Sequence, residues 1–318
     1  MINHGQSQNM RAKLLELQDT LIAKLGRIDG GTFQCDHWRR PAENPKTFTG
    51  DGRSCILENS NVIERGAVLF SQIAGSSLPA AASAHRPHLT GAAYGVVGLS
   101  CVIHPRNPFA PTAHFNVRRF EARPENGDSI IWFGGGMDLT PHYLFEDDAR
   151  DFHNAARGVS PAHYPAWKKT CDEYFWIKHR NESRGIGGIF FDDLMDTNGP
   201  SIGSDITGSD IIGSEIAVNL VQAFTEVYAE ILGRRAPTPY SDLERDWQLY
   251  RRGRYAEFNL VWDRGTSFGL QSAGRIESIL ASMPPLAAWK YDHQPTAKSR
   301  ESDLITVLKN PRDWLSPI

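Results

Sequence analysis

The sequence lacks the features that would place it in a membrane or on nucleic acid. No hydrophobic run approaches the roughly 20 apolar residues that span a bilayer. The first residues form neither an apolar secretory segment nor an Arg- and Ser-rich transit peptide. The formal net charge of the 318 residues is only −3, which argues against broad binding to nucleic acid or to an anionic membrane. These absences predict a cytoplasmic protein, in which an anionic substrate would need a locally basic pocket.

Paired cysteines and nucleotide-binding motifs are also missing. The cysteines are scattered without a CxxC pair, which predicts reduced thiols and neither a zinc site nor a disulfide framework. They are Cys35, Cys55, Cys101 and Cys171. No GxGxxG follows a predicted strand and no GxxxxGK[ST] occurs, so no organic nucleotide cofactor is expected.

The chain is long enough for two domains, but no Pro/Gly/Ser-rich linker divides it. We therefore predict a single domain over residues 1–318. Leucines at spacings of three and four predict an N-terminal helix over about residues 10–25. A C-terminal tail is expected over about residues 293–318, with residues 312–318 peripheral.

Short strands joined by turns dominate the predicted secondary structure. Strands are predicted over residues 62–70, 94–103, 114–121, 129–133, 189–191 and 255–262. Helices are predicted over 145–156, 161–180, 215–232, 242–252 and 275–281. Turns are expected at 50–53, 134–136 and 265–269, and a loop at 199–213. Because strands and helices do not alternate as βαβ units, the expected class is α+β, with a large, mainly antiparallel sheet flanked by α-helices on both faces.

One predicted strand carries the sequence HxNxR. Its alternation places His114, Asn116 and Arg118 on one side of the strand. Arg118 has the planar fork that clamps a carboxylate, and His114 is suited to general acid or base work. A solvent-facing strand would show the same pattern, and the opposite side is no cleaner, because it carries Arg119 and Glu121.

Two glycine-containing segments could also contact a ligand. Three glycines shortly before Asp138 would let the backbone approach a flat ligand closely. The carboxylate of Asp138 could accept hydrogen bonds from N–H groups of that ligand. The alternative is a plain glycine turn. The turn at residues 272–275 offers backbone N–H groups and Arg275 to an anion, or simply begins a helix. A third segment, Tyr174 to Asp193, combines a basic cluster that includes Arg184 with a glycine turn and two aspartates.

Four histidines are candidate metal ligands. They lie on separate segments, and their long spacings carry no metal-ligand signature. They are His104, His114, His153 and His179.

Long blocks of the chain resemble the oxygen-dependent coproporphyrinogen-III oxidases of haem biosynthesis. The resemblance runs from about residue 31 to about residue 292. It is carried by HPRNPFAPTAHFNVRRFE (104–121), WFGGGMDLTP (132–141), CDEYFWIKHRNESRGIGGIFFDD (171–193) and FNLVWDRGTSFGLQSAGRIESILASMPPLAAW (258–289).

The resemblance implies an enzyme that converts two propionates of coproporphyrinogen III to vinyls, giving protoporphyrinogen IX, CO2 and hydrogen peroxide. O2 would be the co-substrate, and no organic cofactor would be needed. It also implies a homodimer formed through about residues 255–290. Two departures, Ala273 where relatives often have Gly and Thr170 where they usually have Trp, look tolerable.

The resemblance also assigns residues. His114 matches the family's proton donor, and Asp138 matches an aspartate thought to hold the pyrrole N–H groups. Substrate-binding positions match Ser100, Asn116, Val117, Arg118, Ala273, Gly274 and Arg275. A divalent metal, proposed in some members, would be bound by His104, His114, His153 and His179. Because the substrate carries four carboxylates, Arg184 is expected as a third cation after Arg118 and Arg275.

The sequence leaves two rival functions open. A histidine-metal oxygenase or decarboxylase could act on another aromatic carboxylate, and a non-catalytic carrier could bind the tetrapyrrole without consuming O2. A pure interaction module is disfavoured by the polar HxNxR strand.

Overall fold

The computed structural model describes residues 4–40, 49–78, 86–125, 127–195, 208–271 and 274–316. Its centre is a seven-stranded sheet in which every neighbouring pair is antiparallel, in the order β1-β2-β3-β4-β5-β6-β9. These strands are β1 (Gln34–Arg40), β2 (Thr49–Glu58), β3 (Ile63–Gly75), β4 (Ala93–Pro105), β5 (Thr112–Arg123), β6 (Ile130–Thr140) and β9 (Gly187–Leu194). A small hairpin is formed by β7 (Trp176–Ile177) and β8 (Glu182–Ser183).

Eight α-helices surround the sheet within the described ranges. They are α1 (His4–Asp29), α2 (Glu146–Val159), α3 (Tyr164–Tyr174), α4 (Gly208–Arg235), α5 (Asp242–Val261), α6 (Arg264–Gln271), α7 (Ile276–Leu280) and α8 (Arg300–Lys309). A 3-10 turn covers Pro87–Leu89. None of the helices in these ranges is long and apolar enough to cross a membrane. The predicted α+β class with a large antiparallel sheet is confirmed.

Alternation along β5 separates the two faces of the sheet. Phe115 and Val117 are buried beneath α4, where the ring of Phe115 packs against Phe224 with centroids 4.8 Å apart. His114 and Asn116 point to the other face, over which α5, α6 and α7 lie. One face therefore builds the main core, and the other is free to carry a site.

Arg119 and Glu121 point to the face of the sheet that α4 covers, where they belong to a buried ion cluster. Arg119 donates from Nε to Asp210 of α4 at 2.8 Å and from Nη1 to Glu121 at 3.0 Å. A buried charge is tolerated when it is paired and hydrogen-bonded in this way. The second polar face suggested by the sequence is thus an internal contact between β5 and α4.

The glycines of β6 do not end the strand, contrary to the turn predicted at residues 134–136. β6 continues to Thr140, and a Cβ on Gly134 would lie 2.8 Å from Nε of Arg118 and 2.8 Å from Asp192. The missing side chain lets the guanidinium lie against the strand. The turn predicted at residues 50–53 is also wrong, because this segment is inside β2.

The region after Gly253 is helical, whereas a strand was predicted over residues 255–262. α5 begins at a capping box formed by Ser241 and Glu244 and continues to Val261. The turn predicted at 265–269 lies inside α6, and the helix predicted to reach residue 180 ends at Tyr174. Apolar and β-branched residues near the end of α5 imitate a strand, and tertiary packing overrides that preference.

The prediction of reduced cysteines is wrong for one pair. Cys35 of β1 and Cys55 of β2 are directly opposite in register and form a disulfide, while Cys101 and Cys171 are free and buried. Strand register brings together two residues 20 positions apart, which a search for CxxC cannot detect. Disulfides are rare in cytosolic proteins, and the cytoplasmic location stays a prediction.

The end of the chain is better packed than a peripheral tail. α8 lies within it, and Trp314 is buried with its Nε1 donating to the carbonyl of Ile186 at 3.2 Å. Of the predicted loop at 199–213, residues 208–213 belong to α4 and the rest lies outside the described residues. The single-domain organisation stays a prediction.

Candidate active site

A cavity of about 360 Å³ lies between the exposed face of the sheet and helices α5, α6 and α7. β5 supplies the HxNxR side chains, β4 supplies Ser100, and the N-terminus of α7 supplies Arg275. The structure therefore brings together seven of the residues singled out from the sequence: Ser100, His114, Asn116, Arg118, Arg184, Gly274 and Arg275.

His114 is held from behind by Asp138. The two residues are paired in register across β5 and β6, and Nδ1 of His114 is 2.6 Å from Oδ1 of Asp138. Asp138 is only 2% exposed and does not line the cavity. Burial by itself would raise the pKa of Asp138, but the charge of Arg184 and the hydrogen bond to His114 outweigh it and hold the pKa below its usual value. Asp138 is thus an ionised support for His114.

Arg184 anchors the other side of Asp138. Its Nη2 donates to both carboxylate oxygens of Asp138, at 2.9 and 2.7 Å, and its Nη1 donates to Asn259 at 2.9 Å. Three aromatic rings surround the guanidinium, with centroids 4.1–4.9 Å away: Phe175, Tyr255 and Phe258. Arg184 reaches the cavity wall, but its charge is already used to fix Asp138.

Arg118 and Arg275 are the more available cations. The side chain of Arg118 is 28% exposed and donates to Asp192 at 3.1 Å and to Asn116 at 3.3 Å, which are long bonds for a charged donor. Arg275 forms an ion pair with the half-exposed Asp36 of β1. Weak, solvent-accessible pairs of this kind contribute little free energy. An incoming carboxylate could therefore replace either aspartate.

Among the described residues, the predicted ligand contact Val117 does not line the cavity. Val117 lies on the opposite face of β5 and is buried in the main core, so its side chain cannot reach a ligand here. Ala273 lies outside the described residues.

The four histidines do not converge. The rings of three of them are bonded at both nitrogens: His104 to Thr112 and the Ser282 carbonyl, His153 to Tyr164 and the Ile186 carbonyl, and His179 to Glu257 and Trp262. Within the described part of the chain, no three His, Cys, Asp or Glu side chains are placed to hold a metal ion. The metal site implied by the resemblance therefore does not fit this arrangement.

The aromatic and polar wall contributed by α5 was missed from the sequence. Tyr255 and Asn259 of α5, and Asp263 just beyond the end of that helix, recur every fourth residue and line the cavity. On a helix this spacing places side chains on one face. The signal was present in the sequence, but predicting a strand over these residues concealed it. Trp38 and Phe190, from β1 and β9, complete the apolar part of the wall.

Comparison with known protein families gives a match that covers nearly the whole chain. The sequence model of the family described as Coproporphyrinogen III oxidase matches residues 9–314.

Proposed function

The chain belongs to the coproporphyrinogen III oxidase family, and we propose that it uses O2 to decarboxylate two propionates of coproporphyrinogen III, giving protoporphyrinogen IX. Each propionate, with one O2 and one proton, would yield a vinyl group, CO2 and hydrogen peroxide. The porphyrinogen supplies the two electrons that reduce O2. A reduced tetrapyrrole is electron-rich, so this reaction needs no organic redox cofactor.

The observation that carries the proposal is the shared cavity of Arg118, Arg275 and His114. A porphyrinogen is broad and polyanionic, and it needs separated cations around an apolar floor. Arg118 and Arg275 come from different elements of the same cavity, and Phe190 and Tyr255 offer apolar surface between polar groups. Such a combination suits a flat ligand with carboxylates at its edge.

The two aspartates at the arginines would act as exchangeable partners. Asp192 and Asp36 hold Arg118 and Arg275 in the free protein. A propionate that displaces Asp192 can bind Arg118 through two parallel hydrogen bonds. Substrate binding would then fix the macrocycle relative to His114.

His114 would handle the proton. Its Nδ1 faces Asp138, so the other ring nitrogen, Nε2, points toward Asn116 and the cavity. The carboxylate of Asp138 holds Nδ1 by a hydrogen bond and so fixes the orientation of the ring. We infer that Asp138 acts on the pyrrole through His114, since its own oxygens are occupied by His114 and Arg184.

The proposed homodimer is supported by an exposed apolar surface. Several large apolar side chains between residues 255 and 290 are more than a third exposed: Leu260, Val261, Leu270, Ile276, Leu280, Leu286 and Trp289. Large exposed apolar side chains concentrated in one stretch of the chain favour a contact surface there. Leu260→Glu should therefore shift sedimentation toward monomer. Leu243→Glu is the matched control, because Leu243 is 80% exposed on the same helix but lies outside this stretch.

The activity is tested by incubating the protein with coproporphyrinogen III in air, under nitrogen, and in air with a chelator. Mass analysis should show the loss of two CO2 in air alone and in air with chelator, together with O2 uptake at an electrode. Binding without O2 uptake would replace the proposal with a carrier. Loss of activity with chelator that added metal restores would replace it with a metal-dependent oxygenase.

A further inference from the structure

A second, smaller cavity of about 170 Å³ lies on the other side of α5. Its floor is formed by Arg251 and Arg254, and its rim includes Arg180, Lys290 and Lys309. The two cavities have no lining residue in common among the described residues. We propose that this second cavity binds a small oxyanion, of the phosphate or carboxylate class. This proposal does not depend on the proposed catalytic function.

The floor has more buried positive charge than its one buried carboxylate can satisfy. Arg251 and Arg254 are 3% and 6% exposed, and both approach the same oxygen of Glu182, at 2.7 and 3.6 Å. Arg254 has a second acidic partner, Glu257, at 3.0 Å. Arg251 has Glu182 as its acidic partner, and Glu182 is shared.

One nitrogen of this floor has no acceptor. Nη2 of Arg251 is buried without a hydrogen-bond partner, although Arg251 lines the cavity. Buried donors are almost always paired in folded proteins, and leaving a charged donor unpaired is costly. A bound oxyanion would supply the missing acceptor and share the charge of both arginines.

The rim favours the same kind of ligand. Lys290 and Lys309 are exposed around the opening, as is Arg180, which is paired with Glu257. Asp292 is the acid among the exposed rim residues. Exposed cations attract an anion, and the buried guanidiniums provide the directional hydrogen bonds. The volume suits a phosphate or a small carboxylate, and it is less than half that of the catalytic cavity.

The site is tested by calorimetric titration of inorganic phosphate into the full-length protein at constant ionic strength, with acetate in a second arm. Arg251→Met combined with Glu182→Gln removes a buried cation together with its acid, so that no buried charge is left unpaired. We expect one phosphate per chain in the wild type and at least about tenfold weaker binding in this double variant. Lys309→Gln, which is exposed and carries little risk to folding, should weaken binding about threefold.

Arg118→Met provides the comparison, because it removes a cation from the catalytic cavity alone. Phosphate affinity should be unchanged in this variant. Tighter binding of acetate than of phosphate would identify the ligand as a carboxylate. The proposal is overturned if neither anion shows saturable binding, which would mean that the cavity holds only water. It is also overturned if binding is lost in Arg118→Met and kept in the double variant.

Discussion

His114 and Arg118 lie four residues apart on β5, and each is held by a carboxylate from another strand. Asp138 of β6 supports His114 through a short hydrogen bond, and Asp192 of β9 holds Arg118 through a longer one. The difference in burial between the two pairs is the important one. Asp138 is buried and fixes a geometry, whereas the exposed Asp192 can give way to a ligand.

Replacing Arg118 tests the carboxylate contact. Arg118→Met should lower kcat/KM, because a charged anchor for a propionate is lost. The decrease should correspond to about 2–4 kcal/mol of transition-state stabilisation. Stability should change little, since the Arg118 ion pair is half-exposed. Arg123→Met on the same strand is the control, because Arg123 bonds to Ser129 outside the cavity. Steady-state kinetics and urea unfolding separate the two effects. Wild-type kcat/KM in Arg118→Met would remove this residue from substrate binding.

Asp138 should affect both activity and stability, and a double variant separates them. Asp138→Asn leaves Arg184 buried without its acid, which should cost about 3–5 kcal/mol of unfolding free energy. It should also lower kcat about a hundredfold, because His114 loses the group that orients its ring. Combining it with Arg184→Met removes both buried charges, so part of the stability should return while kcat stays low. An unchanged kcat in Asp138→Asn would show that His114 works without this carboxylate.

At the scale of elements, the spacing of apolar residues predicts a strand or helix correctly where one face of that element packs against the core. The alternation of β5 and the leucine spacing of α1 were read correctly for this reason. Several of the errors fall at glycines. Gly134 and Gly253 look like terminators, yet each lies inside an element where another group approaches the backbone closely. That approach depends on distant parts of the chain, so the sequence pattern could not show it.

Gly253 gives a test in which two effects oppose each other. Alanine gains about 1 kcal/mol over glycine in a helix. A Cβ on Gly253, however, would lie 2.6 Å from the carbonyl oxygen of Ala288, and overpacking of this kind costs about 1–3 kcal/mol. Gly253→Ala should therefore lower the free energy of unfolding, measured in urea. Gly233→Ala on α4 is the control, because nothing lies within 4 Å of its added Cβ, and it should stabilise the protein by about 0.5–1 kcal/mol. Equal gains from both substitutions would contradict the packing argument.

At the scale of the whole molecule, the site is assembled from segments far apart in sequence. Ser100, His114 and Arg275 come from β4, β5 and the start of α7, and they meet because the sheet is antiparallel and α7 returns to its open face. Residue types and the family resemblance identified them individually. Their common cavity, the support of His114 by Asp138, and the separation of the four histidines all depend on register and packing.

The pH dependence of stability is also a property of the whole fold. Burial lowers the pKa of His153 to about 4, and burial together with nearby arginines lowers the pKa of His104 and His142. These histidines are therefore protonated at a higher pH in the unfolded chain than in the folded protein. The neutral histidines contribute their full stabilisation above about pH 6.5, the ordinary pKa of histidine. This contribution is lost as the pH falls through the pKa values of these histidines in the folded protein. Glu257 also makes the stability decrease as the pH falls, but at lower pH. Burial would raise its pKa, but hydrogen bonds from Arg180 and His179 lower it to about 2.

We therefore expect the free energy of unfolding, measured in urea, to fall as the pH drops from 6.5 to about 4.5. It should fall more steeply below about pH 4.5, where carboxylates that are stabilised in their ionised form by the fold become protonated. His153→Gln isolates one of these groups. It should be less stable at pH 7, because the bonds of His153 to Tyr164 and the Ile186 carbonyl are lost or weakened. Its stability should also depend less on pH, by about 1.4 kcal/mol per pH unit within the window where one proton is bound on unfolding. The same slope in wild type and variant would mean that His153 is protonated equally in both states. The buried imidazole would then contribute nothing to acid unfolding.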